Sequence, residues 1–144
     1  MIKGFKNKKF EWLSNFYPVE IDGFASVEHF YQSFKSSDSE WKAFCKTSHN
    51  TARQVKQRGR QIRIRHDWEV IKLKVMKTAI RLKFSQDPFK TLLLNTESEY
   101  IREDNTWGDT FWGFNPITGV GDNHLGKLIM QYRDLLRIKD SKTN

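Results

Sequence analysis

Apolar positions recur every three or four residues along most of this chain and alternate in only a few short places, so helices are predicted to dominate. The clearest run is Ser26 to Lys35, where Val27, Phe30, Tyr31 and Phe34 fall on one helical stripe. Ser26 is a favoured cap, and Glu28 in the first turn suits the positive end of the helix dipole. Glu28, Gln32 and Lys35 form a second stripe, turned from the first by roughly a quarter to a third of a circle, at the margin of the core. Such an edge is either an ordinary exposed face of good helix formers or a half-desolvated edge whose charged groups point into a cleft.

The same spacing predicts further helices. Asp38 or Ser39 caps one through Trp41, Phe44 and Cys45, and Asn50 or Thr51 caps another ending near Gly59. Asp67 caps the longest, which runs to about Phe84 with Trp68, Ile71, Val75, Ala79 and Leu82 inward, Met76 as packing, and its lysines and Arg81 as the wet face. Pro88 opens a short helix through Phe89, Leu92 and Leu93. Asn123 caps the last, with Leu125, Leu128, Ile129, Tyr132 and Leu136 inward and Gly126 permitting a close crossing. Short strands are expected within residues 9–24, around an Asp22-Gly23 turn, and over Glu99 to Glu103. The reading is α+β: a single mostly helical domain over residues 1–144 with a small β-sheet, residues 138–144 being a polar tail.

Composition adds a direction to this picture. The chain has 25 Lys and Arg against 17 Asp and Glu, a formal charge of +8, which favours anionic partners such as nucleic acid or nucleotides. Its 11 Phe, 5 Trp and 4 Tyr can build a core or stack on flat rings. Cys45 stands alone, which excludes an internal disulfide and a cysteine zinc site and points to a reducing compartment, here the cytoplasm. No stretch has the length or apolarity of a secretory signal or membrane helix, so no membrane partner is expected.

Candidate chemistry gathers in four places. Asn15 and Phe16 sit in an irregular loop closed by Pro18, which either holds a small ligand or merely makes the turn. Arg53, Lys56, Arg58, Arg60, Arg63 and Arg65 precede the next acid, Asp67, and form either a solvated face or a phosphate site. The Trp107 to Phe114 cluster is either a looping β-segment or a pocket wall in which Trp112 stacks on a ring while Asp109 meets hydroxyls. The fourth is the polar edge of the first helix. His29 cannot serve Glu28, because adjacent helix residues diverge by about 100°. Lys35, two turns from Glu28 and roughly 10 Å along the axis, suits convergence on a sugar-sized group above Gln32. His29, His49, His66 and His124 lack metal-ligand spacing, and Gly119-x-Gly121 lacks the context of a dinucleotide fingerprint.

Taken in order over residues 13–133, the chain resembles the NADAR (YbiA-like) superfamily. The resemblance is carried by Leu13-Ser14-Asn15-Phe16-Tyr17-Pro18, by Val27-Glu28-His29 with Tyr31-Gln32 and Lys35, and by Ala52-Arg53 with Lys56, Gly59 and Arg60. It continues through Asp67-Trp68, Met76, Lys83-Phe84, Asp109 with Trp112-Gly113, and Asn123, Leu125-Gly126, Leu128, Met130 and Arg133. Two stretches depart from the family pattern: Asn95-Thr96-Glu97, where Thr-Gly is usual, and the longer loop from Phe114 to Asp122.

The resemblance implies an N-glycosidase of the group that processes riboflavin intermediates or removes ADP-ribose from guanine, with neither metal nor organic cofactor. It implies a catalytic set of Glu28, Lys35 and Asp109. Glu28 would stabilise the oxocarbenium-like centre, while Lys35 would either attack the opened sugar as a Schiff base or bind phosphate or hydroxyls. Phe16 and Trp112 would flank the substrate, Asp109 and Asn15 would hold ribose hydroxyls, and Arg53, Lys56 or Arg60 would take phosphates. Gln32 and Asn123 complete the implied substrate-binding set. The partner so implied is ADP-ribose or a phosphoribosyl-type compound, with ADP-ribosylated DNA as one carrier.

Overall fold

The structure, a computed structural model, describes residues 1–47 and 49–143. The chain forms two compact units, one of Asn15–Lys83 and one of Met1–Ser14 with Phe84 onward.

The first unit is built on helix α1, Val27–Ser33. The Ser26 hydroxyl accepts from the His29 N–H, as its capping role requires, and the Glu28 N–H donates to the Asn15 carbonyl at 3.0 Å. Every residue of α1 is buried, polar ones included. Burial of Val27 and Phe30 stabilises this unit by about 2 kcal/mol each. Helix α2, Ser39–Lys46, is capped by Asp38, and α3, Ala52–Gly59, opens with a capping box between Thr51 and Gln54. Both pack against α1, and the Trp41 indole N–H reaches the Gln32 carbonyl at 2.8 Å.

Helix α4, Trp68–Phe84, has the expected bounds, but two expectations about it fail. The Asp67 carboxylate takes two hydrogen bonds from the Arg65 guanidinium, which lies one turn before the helix and competes with its free N–H groups. Nor are all its lysines on the wet face. Lys83 is only 1% exposed, because it continues the buried row of Met76, Ala79 and Ile80.

The alternation around residues 9–24 does not make strands. Residues Glu11–Leu13 form a short 3₁₀ turn, and Asp22 and Gly23, both at positive φ, close a turn flanked by the bridge from Ile21 to Phe24 and one further bond from the Val19 N–H to the Ala25 carbonyl. Too few residues flank that turn for a ladder to propagate.

In the second unit, β1 (Ile2–Lys3) pairs in parallel with β2 (Ile101–Arg102), Ile2 opposite Ile101. The sequence pattern placed a longer strand at 99–103 and none at the start. Helix α5, Phe89–Leu94, packs on α6, His124–Thr143, which also lies on β2. Gly126 is required there, since a Cβ would run into the Ile101 carbonyl. Residues 138–143, expected as a tail, continue α6. Asn123 does not cap α6 with its side chain. Its Oδ1 accepts from the Glu103 N–H and its Nδ2 donates to the Ile101 carbonyl, so the amide clips the helix start to β2.

Candidate active site

The polar edge of α1 is an interior feature. Glu28 is 5% exposed and Gln32 2%, which excludes a solvated face for either. A carboxylate so enclosed needs donors, and Gln32 supplies one: its Nε2 donates to Glu28 Oε1 at 2.8 Å. The i, i+4 spacing on one helix makes this contact local. Gln32 Oε1, by contrast, is buried without a hydrogen-bond partner among the described residues.

Lys35 follows the end of α1, half-buried, its N–H bonded to the Gln32 carbonyl at 3.1 Å. Burial lowers its pKa most, Lys56 and Arg60 lower it further, and Glu28 and Cys45 oppose them. The charges of Glu28, Lys35, Lys56 and Arg60 are therefore felt together at one amine. Lys35 Nζ stands 6.0 Å from the Trp68 ring centroid, and the sequence-derived site set omitted Trp68. Its ring lies tilted on Tyr31 at 5.0 Å, so helical periodicity read it as core.

Phe16, partly exposed, lies on the loop that ties down the start of α1, and Lys56 Nζ sits 5.5 Å from its ring centroid. The Asn15 amide meets Met76 Sδ at 3.7 Å. On α3, Arg53 is exposed, Lys56 half-buried, and Arg60, at the helix end, exposed. The structure thus brings Glu28, Gln32, Lys35, Lys56 and Arg60 into mutual influence and places Phe16 beside Lys56.

Three implied site residues belong to the second unit. Asp109 Oδ1 accepts from the Trp112 N–H at 3.0 Å, and the Asp109 backbone is clasped by both ends of the Asn105 amide. Trp112 is half-buried and edge-on to Phe111 at 4.8 Å. Asn123 is 3% exposed with its amide engaged by β2.

Two further titratable groups are displaced from their ordinary values. Burial alone drives Lys83 down to about 7, and its Nζ lies 6.0 Å from the Tyr17 ring centroid. Burial pushes the Cys45 thiol up to about 12, so it remains a neutral apolar filler. His29 is structural, its ring bridging the Ser26 hydroxyl at 2.7 Å and the Asn50 carbonyl at 2.6 Å. No trio of His, Cys, Asp or Glu suited to a metal gathers among the described residues, and no described helix is long and apolar enough to cross a membrane.

The NADAR domain family matches residues 4–137. This chain belongs to that family. N-glycosidase YbiA of Escherichia coli is 33% identical over 134 residues, spanning 88% of this chain and 81% of the relative. An N-glycosidase of Nostoc punctiforme is 33% identical over 133 residues, spanning 86% of this chain and 84% of its own. The NMR structure of Escherichia coli YbiA superposes with a TM-score of 0.82 at 29% identity, covering 96% of this chain and 86% of that one. The mostly helical architecture with its small sheet is thus the NADAR fold. A riboflavin biosynthesis protein of Vibrio vulnificus is also 33% identical, over 132 residues that span 88% of this chain and 35% of that longer protein.

Proposed function

We propose that this chain is an N-glycosidase that hydrolyses the bond between ribose C1 and a nitrogen in a phosphorylated ribosyl compound, most favourably ADP-ribose attached to guanine. The observation that carries the reading is the enclosed carboxylate of Glu28, held by Gln32 and neighboured by the desolvated amine of Lys35.

As the C1–N bond breaks, its electron pair leaves with the nitrogen, which takes up a proton, and positive charge grows on C1 and the ring oxygen. A fixed carboxylate in a water-poor site stabilises that charge without reorganising. Water completes the reaction by giving hydroxide to C1. In the variant that uses Lys35 as nucleophile, the ring C1–O bond opens, the free amine adds to C1, and the C1–N bond breaks with the departing nitrogen taking up a proton, leaving a Lys35 imine that water hydrolyses to the free amine and the sugar aldehyde. The fall in the Lys35 pKa raises the fraction of free amine at neutral pH. Phe16, braced by Lys56, offers a ring face to the base, while Arg53, Lys56 and Arg60 supply phosphate contacts. Within the second unit, Asn123 supports the loop that carries Asp109 and Trp112: its N–H donates to the Gly113 carbonyl.

Names among the relatives favour a second substrate, an N-glycosidic intermediate of riboflavin biosynthesis. The deciding experiment assays the purified chain side by side on an oligonucleotide ADP-ribosylated at guanine, the free ADP-ribosylated nucleotide and the phosphoribosyl riboflavin intermediates. Release of unmodified guanine in the oligonucleotide with free ADP-ribose is the expected result. Turnover of the riboflavin intermediates alone would transfer the activity to that pathway, and turnover of none would leave a binding module.

A further inference from the structure

Gly59 closes α3 with a helical φ, where alanine is the better helix former, so its lack of a side chain needs a local reason. The reason is Gln32. A Cβ at Gly59 would overlap Gln32 Oε1 and stand 3.1 Å from Gln32 Cδ, with Lys35 Nζ 3.6 Å from the same point. We propose that Gly59 is a positioning residue: by leaving that space empty it lets Gln32 stand extended, its amide nitrogen on Glu28 and its carbonyl on the Lys35 side.

The orientation of the amide follows from its neighbours. Swapping its ends would set a carbonyl against a carboxylate oxygen, two acceptors with no proton between them. With the nitrogen on Glu28, the carbonyl must face the α3 backbone, and only a residue without a side chain admits it there. The carbonyl is the unpartnered buried oxygen of the site. It is an acceptor kept on the Lys35 side, suited to that amine when it carries a proton as ammonium or iminium. A methyl group at position 59 meets the mobile end of a side chain rather than backbone. Its effect therefore falls on the grip on Glu28 before it falls on the fold.

The inference rests on the proposed role of Glu28, so its test needs one readout free of substrate. In the full chain, the Gln32 side-chain NH₂ signals, assigned by their loss in Gln32→Ala, are expected to exchange slowly with D₂O. In Gly59→Ala they should exchange at least roughly tenfold faster while the thermal unfolding transition persists. On the guanine-ADP-ribosylated oligonucleotide, kcat should fall roughly tenfold or more with KM held within about twofold. The double variant Gly59→Ala/Gln32→Ala should turn over no more slowly than Gln32→Ala alone, since Gly59 then has nothing left to position. Unchanged protection of the Gln32 amide in Gly59→Ala overturns the inference, as does a double variant slower than Gln32→Ala. If Gly59→Ala does not fold, recovery of the fold in the double variant supports the overlap, and failure to recover it overturns it. Normal turnover by Glu28→Gln would instead sink the role of Glu28, while the amide exchange still decides the placement of Gln32.

Discussion

Gln32 Nε2 donates to Glu28 Oε1 across 2.8 Å on a helix whose every residue is buried. The pair gives the first prediction. Glu28→Gln keeps the volume and removes the charge, so turnover should fall by at least roughly 10²-fold while the melting transition shifts little. Steady-state rates beside a thermal melt check this; a rate near that of the parent chain would remove Glu28 from the chemistry.

Lys35 should be chemically distinguishable from the surface lysines. Burial chiefly lowers its pKa, and Lys56 adds to the effect, so its free amine accumulates at lower pH than that of an ordinary lysine. Borohydride added during turnover is expected to give a reduced sugar adduct at Lys35, located by peptide mass spectrometry. Lys56→Met should move the onset of trapping to higher pH. Absence of any adduct across the pH range would leave Lys35 as a binding group.

Arg60 is exposed at the end of α3, where a phosphate contact would displace bound counterions. Arg60→Ala should weaken binding of the modified oligonucleotide and reduce the steepness of its log–log salt dependence by about one. Fluorescence anisotropy over a salt series measures both, and an unaltered slope would make Arg60 a solvated cation only.

Lys83 links the fold to pH. Its folded pKa of about 7 lies below the value near 10.5 that it has in the open chain. Between those two values the unfolded chain binds more protons, so stability should rise as pH increases from about 7 toward 10.5 and flatten below 7, where both states are protonated. The gain attributable to Lys83 is on the order of a few kcal/mol. Urea titrations across that window, repeated on Lys83→Met, test it; the variant should lose the slope, and an equal slope in both would exclude Lys83 as its source.

The stripes of α1 and α4 and the caps at Ser26, Asp38 and Thr51 were legible in sequence because each depends on neighbours within one or two turns. Long-range packing was not. Nothing local says that Glu28 and Gln32 face α3 rather than water, since the same residue types make good exposed helix positions. The Lys83 burial is within reach of the spacing, which sets it on the core row of Met76 and Ile80, but residue type argues the other way, since lysines are ordinarily wet. Asn123 was read as an ordinary cap, whereas a strand distant in sequence claims its side chain. Strand β1 leaves no trace in the sequence because a pairing two residues long shows no alternation, whereas β2 is legible there with wider bounds.

Because all seven residues of α1 are enclosed, the proposed reaction centre is insulated from the drift that reshapes protein surfaces. On the proposed mechanism, changes to the exposed arginines of α3 or to the Phe16 loop would retune which carrier of a ribosyl group is admitted without touching Glu28. A lineage would thus exchange one substrate for another on the proposed chemical step, and directed evolution of this chain for a new ribosyl compound is best begun on those outer residues.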